Sequence, residues 1–331
     1  MTGDITDAVR KAPLFRDMSA AEIDETRASI QPRRFVNSEA LMVQGAASDG
    51  AYVITSGRVA VAARLPGGGE TAVTELGAGD LLGEMALLLR GGKRSATARA
   101  VGPVEALFID RRHFDASVHL LRPSSLKLLR RLGLISAARL RSVHARIRDV
   151  VAANAASALF RPMPRTDGAE PTRFDVRTFL PILPAFRDFT ADDLDRLFAI
   201  TRTEAHERGA ALSEEGESAE ACRLVVRGAL LAGHRHGDRL HQLDVLGPGR
   251  FTGVAAVLED AATSAAVVAA EHATILTFDA AAFRELWAGE DRLALRLINA
   301  VNADIVQLTS TAGNHLTRLT TQARVRELAA S

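Results

Sequence analysis

The sequence predicts an α+β protein, mainly β with flanking helices, built as two tandem β-rolls of jelly-roll type, each followed by a long helix. Three observations predict it. The chain matches itself when slid along by about 171 residues. Each copy breaks into short Val- and Leu-rich segments punctuated by glycines, the pattern of short strands joined by turns. Each copy then ends in a stretch with apolar residues every three or four positions, the period of a helix. At 331 residues there is room for two domains of ordinary size.

In chain order, LFRDMSAAEI (14–23) falls on AFRDFTADDL (185–194). Ser19 and Thr190 stand where an N-cap would, each with an acid three residues on, so both copies are expected to open with a capped helix. EALMVQG (39–45) falls on AALSEEG (210–216), AYVITSGRVAV (51–61) on CRLVVRGALLA (222–232), and GAGDLLGE (77–84) on GPGRFTGV (247–254). EALFIDRRHF (105–114) falls on ATILTFDAAAF (273–283) with small changes of register. Gly45, Gly57, Gly77 and Gly79 punctuate the first copy, and Gly67-Gly68-Gly69 after Pro66 reads as a hairpin turn. The expected organisation is a first domain at 12–155, a linker at 156–180 and a second domain at 181–331. Within the linker, 156–175 is rich in Pro, Arg and Ala without periodicity, and is expected to order only against a partner.

Residues 124–151 form the first long helical pattern. Leu126, Leu129, Gly133, Ser136, Leu140, Val143, Ile147 and Val150 make a heptad-like seam. In 291–328, Ile298, Val301, Ile305, Leu308, Ala312, Leu316, Leu319 and Ala323 make a second stripe. Its first half is expected to pack on the second roll and its end to self-associate. His315 beside it reads as a surface histidine.

Composition excludes several classes. Hydrophobic content of 47% and charged content of 24% are those of a globular protein. The single cysteine, Cys222, excludes an internal disulfide framework and fits a reducing cytoplasm. The N-terminal stretch lacks a signal-peptide pattern, and no apolar run approaches the roughly 20 residues needed to span a bilayer, so a cytoplasmic protein is expected. The net charge is +1, but residues 111–150 carry ten Lys/Arg against Asp115 and Asp149, either a solvated helix face or a surface for an acidic partner. No P-loop, HExxH, kinase catalytic loop or GxSxG occurs, so no enzyme is expected. HRHGDRLH (234–241), the one histidine cluster, reads as a polar hairpin turn rather than a metal site.

Function is concentrated in LLGEMALLLRGGKRSATARA (81–100). A carboxylate (Glu84), a guanidinium (Arg94), a hydroxyl (Ser95) and the amides of a short helix at 83–89 fall in one loop, a set suited to a ligand with one phosphate and one sugar hydroxyl. The Gly-Glu-Met-Ala-Leu run, the ten-residue step from Glu84 to Arg94 and the following Ser-Ala-Thr resemble the phosphate-binding cassette of the cyclic nucleotide-binding domain family. The resemblance covers about 14–150 and, more weakly, 184–300, and implies a β-roll with a helix before it and helices after it.

By that resemblance the ligand is cAMP or cGMP, with no further cofactor and no metal. Arg94 and Ser95 would hold the cyclic phosphate, Glu84 would accept the ribose 2′-hydroxyl proton, and Gly83, Met85 and Ala86 would line the phosphate. RRLGLIS (130–136) is similar to the helix of the cAMP-receptor branch that pairs across a dimer and contacts the purine, which implies a homodimer through helix 124–151, Ser136 as a purine contact and Arg131 as a secondary one. In the second copy, FTGVAAVLEDAATSAAVVA (251–269) keeps Gly253 and Ser264 but has Val254 for the carboxylate and Thr263 for the guanidinium. The second domain is therefore expected to keep the fold and lose the nucleotide. Where cAMP-receptor relatives carry a helix-turn-helix, this chain has the Pro-rich stretch and the second roll, so DNA is not an expected partner. The favoured function is a non-enzymatic cyclic nucleotide receptor acting on an unknown protein partner or on self-association. The alternatives are a scaffold with vestigial ligand binding and a diverged transcription regulator.

Overall fold

The computed structural model describes residues 9–10, 12–64, 70–89, 91–153, 160–165 and 174–330, which group into two compact units, 1–132 and 133–331. The hairpin turn expected at Gly67-Gly68-Gly69 and residues 156–159 and 166–173 of the expected linker lie outside the described residues.

In the first unit, α1 (Ala20–Thr26) starts at Ser19, whose hydroxyl accepts from the Glu22 N–H while the Glu22 carboxylate accepts from the Ser19 N–H. Strands β1 (Ile30–Phe35), β2 (Ala40–Met42), β3 (Gly50–Arg64), β4 (Glu70–Leu76), β5 (Leu81–Leu82) and β6 (Thr97–Asp110) follow, with the short helix α2 (Met85–Leu88) between β5 and β6. All pairings are antiparallel, in the order β1-β6-β3-β4 with β2 on β6 and β5 on β3. β3 runs with β6 through two register shifts around Ser56, and between Ser56 and Arg58 stands Gly57 at φ +88°. A Cβ there would lie 2.3 Å from the Pro103 carbonyl oxygen. The glycine thus lets the long strand bend over its partner and curl the sheet around Tyr52, Ile54, Val59, Phe108 and their buried neighbours. Helices α3 (Arg111–His119) and α4 (Pro123–Ala153) close the unit, and α4 continues past residue 132 into the second.

The second unit repeats the plan. After α5 (Ala191–Ala199), capped by Thr190 and Asp193 as α1 is by its own pair, two sheets form. Their strands are β7 (Arg161–Pro162), β8 (Thr201–His206), β9 (Ala211–Ser213), β10 (Ala221–Arg227), β11 (Leu230–His236), β12 (Arg239–Leu246), β13 (Phe251–Thr252), β14 (Ala266–Ala269) and β15 (Ala273–Asp279). One sheet has the order β13-β10-β15-β8 and the other β7-β12-β11-β14-β9. Gly228, at φ +81° and with a Cβ position 2.2 Å from the His272 oxygen, is the repeat of Gly57, and here the strand splits into β10 and β11. Helices α6 (Val254–Glu259), α7 (Ala280–Ala288) and α8 (Arg292–Ala330) complete it. Among the described residues no helix is long and apolar enough to cross a membrane.

Three expectations change. The seam of α4 does not stand open for a second copy: Leu140, Ile147 and Val151 pack with Leu243, Ala265, Ala312 and Leu316, with Val143 and Val150 against the same cluster. Gly133 in that seam serves a close approach, since a Cβ there would meet Asn302 Oδ1 at 2.1 Å and Trp287 at 3.1 Å. An amphipathic stripe reports that a face is buried, not by what. Residues 161–162, inside the expected linker, add strand β7 to the edge of β12. HRHGDRLH is the β11–β12 hairpin, as expected, but His234 and His241 at its two ends are buried, and His315 is half-buried with its ring stacked 5.2 Å from that of His241.

The basic run at 111–150 is largely paired within the chain. Arg111, Arg122, Lys127 and Arg131 meet Asp115, Glu25, Glu22 and Asp17 in the first unit, and Arg141 and Arg148 meet Glu259 and Glu215 in the second.

Candidate functional site

The site of the first unit is built where β5 turns into α2. Gly83 has φ +77°, and an ideal Cβ on it would stand 2.4 Å from Arg94 Nη1, so both the backbone and the guanidinium lying against it require glycine. Arg94 is held by the turn between β2 and β3: its N–H donates to the Ala46 oxygen at 2.9 Å, and the Gly45 N–H donates to the Arg94 oxygen at 2.9 Å. The Arg94 side chain is only 4% exposed, and its Nη2 donates to Asp49 Oδ1 at 2.7 Å. Its Nη1 is buried with no hydrogen-bond partner. A buried cationic donor lacking an acceptor is costly, and an anionic oxygen against Gly83 would satisfy it.

Glu84 occupies the N-cap of α2 and is buried. Met85 is half-buried, Ala86 is buried, and Ser95, beside Arg94 in the chain, is exposed. The structure therefore brings Gly83 and Arg94 together and adds Asp49, an acid 45 residues from Arg94 that no spacing in the sequence signals. Of the short helix expected at 83–89, α2 forms Met85–Leu88, and the Ala86 N–H is taken within it, donating to the Gly83 oxygen at 3.0 Å. Ser136 belongs to the second unit, where its Oγ is buried without a hydrogen-bond partner. Arg131 reaches Asp17 at 3.7 Å.

The second cassette has the same frame with different chemistry. Gly253 has φ +81°, and the Gly216 N–H donates to the Thr263 oxygen at 3.0 Å, the repeat of the Gly45–Arg94 bond. Thr263 thus stands where Arg94 does, and its hydroxyl donates to the Glu214 oxygen at 2.5 Å. Val254 fills the place of Glu84 and is buried. Ser264, in the place of Ser95, shares a 3.1 Å hydrogen bond with His144 Nδ1 of α4. The His144 carbonyl in turn accepts from His234 Nε2 at 3.1 Å, and His234 Nδ1 lies 2.9 Å from Glu215.

Two buried groups of this unit oppose each other in pH. Burial pushes the His144 imidazole down from 6.5 to about 4. Burial pushes the Asp304 carboxyl up from 3.8 to about 6, against the pull of Arg250 and of the Phe251 N–H, which donates to it at 2.8 Å. The His144 contribution to stability is present above pH 6.5 and is lost as pH falls toward 4. The Asp304 contribution is present below pH 3.8 and is lost as pH rises through about 6. Each spans two to three pH units, ~3 kcal/mol, so the native protein should show little net change from these two groups over that window. Asp304→Asn should unmask His144, so that the variant's melting temperature falls between pH 7 and 4.5 by several degrees more than that of the parent. Superimposable pH profiles of the two proteins would contradict this assignment.

Among the described residues no group of His, Cys, Asp and Glu is arranged to hold a metal ion. The family model described as cyclic nucleotide-binding domain matches the chain twice, over residues 32–119 and 203–290. Over 128 residues the chain is 33% identical to the cyclic AMP receptor protein of Thermus thermophilus, a match covering 39% of this chain and 54% of that protein. Over 121 residues it is 32% identical to the cAMP-dependent protein kinase regulatory subunit of Mycosarcoma maydis, covering 37% of this chain and 21% of that one. Among solved structures it is similar to the regulatory domain of Toxoplasma gondii PKA with cAMP, at 18% identity and a TM-score of 0.32, covering 86% of this chain and 90% of that one. The match spans a little over half the length of the Thermus protein and about a fifth of the Mycosarcoma one.

Proposed function

This chain belongs to the cyclic nucleotide-binding domain family, and from that membership we propose that its first roll is a receptor for cAMP or cGMP while its second is not. The observation that carries the reading is Arg94: a buried guanidinium with one nitrogen on Asp49, the other without an acceptor, and Gly83 leaving room beside it. In this reading the cyclic phosphate takes Arg94 Nη1 and the exposed Ser95, and Glu84 accepts the ribose 2′-hydroxyl. Only Arg offers a planar fork that can keep one carboxylate and gain one phosphate at once. The output is the setting of α4, a single helix that starts after the first roll and ends in the second unit. Through it the protein would regulate a partner or its own association, without chemistry of its own. A homodimer would use a face of α4 other than the one Leu140 and Ile147 occupy.

Thermal melting of the full chain with added cAMP or cGMP tests this. At a nucleotide concentration a hundredfold above Kd the first unit gains about 2.7 kcal/mol, an upshift of several degrees. Absence of any upshift with either nucleotide at millimolar concentration would sink the receptor reading and leave the scaffold one.

A further inference from the structure

We propose that the second roll holds a separate binding site for a compact, uncharged, mainly apolar molecule carrying a single polar group, lidded by His144 and Leu140 of α4. The site is a cavity of about 90 Å³ within the second unit. Its walls are chiefly aliphatic and aromatic, with Leu243, Phe251, Val254, Ala265 and Leu308 facing in. An apolar cavity of about 150 Å³ takes benzene, so this smaller one suits a short branched chain of a few heavy atoms and not a phosphate, a sugar and a base together.

Its charge pattern turns anions away. Where the first roll offers Arg94, this one offers Thr263, whose hydroxyl is spent on a backbone oxygen. The ionisable acids in the lining are Asp244 and Asp304, and Arg250, which pairs with both, is not part of the lining. A phosphate or carboxylate entering here would meet like charge and no lining guanidinium, and would lose its hydration without compensation. The polar handle is Ser264. In the first roll the equivalent Ser95 is exposed; here the hydroxyl is bonded to His144, a side chain of the same chain. Ser264 therefore latches the lid, and a ligand amide or hydroxyl can share or replace that bond. Arg141 to Glu259 at 3.2 Å is a second tie between α4 and the end of α6. Occupancy of the cavity consequently bears on the same helix that follows the first roll. The proposal does not depend on nucleotide binding by that roll.

The test uses the full chain and two isosteres, isobutyramide (neutral) and isobutyrate (anionic), followed by saturation-transfer NMR and by the methyl resonances of Ala265 and Leu308. Isobutyramide should bind saturably and shift both methyls, and isobutyrate should do neither. Ala265→Leu, which fills the cavity, should weaken isobutyramide binding about tenfold, whereas Arg94→Ala should leave it unchanged. The proposal is overturned if isobutyramide gives no saturable signal in the parent protein, if isobutyrate binds equally well, or if the Ala265 and Leu308 methyls stay still while signal is seen. The methyl readout in the parent decides the matter even where Ala265→Leu fails to melt cooperatively.

Discussion

Arg94→Ala is expected to abolish cyclic nucleotide binding while leaving the unliganded protein about as stable as before. The two halves of that expectation have different causes. In the complex, the guanidinium would be a buried partner of the phosphate, and truncating such a partner costs roughly 2–5 kcal/mol, about thirtyfold to several thousandfold in affinity. In the free protein Arg94 contributes little. Its ion pair is with Asp49, whose side chain is 71% exposed, and its buried Nη1 is unsatisfied. Arg94→Lys should fall between, because an ammonium keeps the charge and loses the fork. Equilibrium binding of a fluorescent cAMP analogue, read beside the melting temperature without ligand, separates the two effects. A variant that loses several kcal/mol of stability without ligand would mean that Arg94 is a structural residue first.

The second large effect is an asymmetry between two glycines with the same backbone. Gly83 and Gly253 sit at φ +77° and +81°, so alanine strains either one by about 1–2 kcal/mol. Their surroundings differ. The Cβ of Gly83→Ala would meet Arg94 Nη1, the far end of a flexible side chain, with the nearest backbone oxygen 3.5 Å away. The Cβ of Gly253→Ala would lie 2.5 Å from the Ala221 carbonyl oxygen, which belongs to β10 and has nowhere to go. Gly83→Ala should therefore fold with modest loss and bind cAMP at least about tenfold more weakly, because the guanidinium is displaced from its phosphate-ready position. Gly253→Ala should lose roughly 3 kcal/mol or more of stability in the second unit and leave nucleotide affinity in the first untouched. Denaturant melts and cAMP titrations on the pair check both outcomes. Equal behaviour of the two variants would remove the distinction between a binding cassette and a structural one.

The chemical contrast between the two cassettes is legible in the sequence, because the repeat sets Glu84 and Arg94 against Val254 and Thr263 in one chain. The capped helices at Ser19 and Thr190, the glycine bends and the β11–β12 hairpin were legible for the same reason: each is a local rule with a local cause. What the sequence concealed is contact across distance. Ser264 meets His144 120 residues away, and no periodicity joins them. Asp49 is one acid in a turn until the fold sets it on Arg94. The seam of α4 marks a face to be covered because Leu140 and Ile147 are spaced for burial, and spacing is indifferent to whether the cover comes from another chain or from Leu243 and Leu316 of the same one. His315 showed the same limit, since a lone histidine beside an apolar stripe says nothing of the His241 ring it stacks on.

Calorimetric titration of cAMP into the full chain reads whether one roll binds and the other does not. The expected result is a single nucleotide per chain, with the heat lost in Arg94→Ala and retained in Thr263→Ala. Two nucleotides per chain, binding that survives Arg94→Ala, or no binding at all would contradict it.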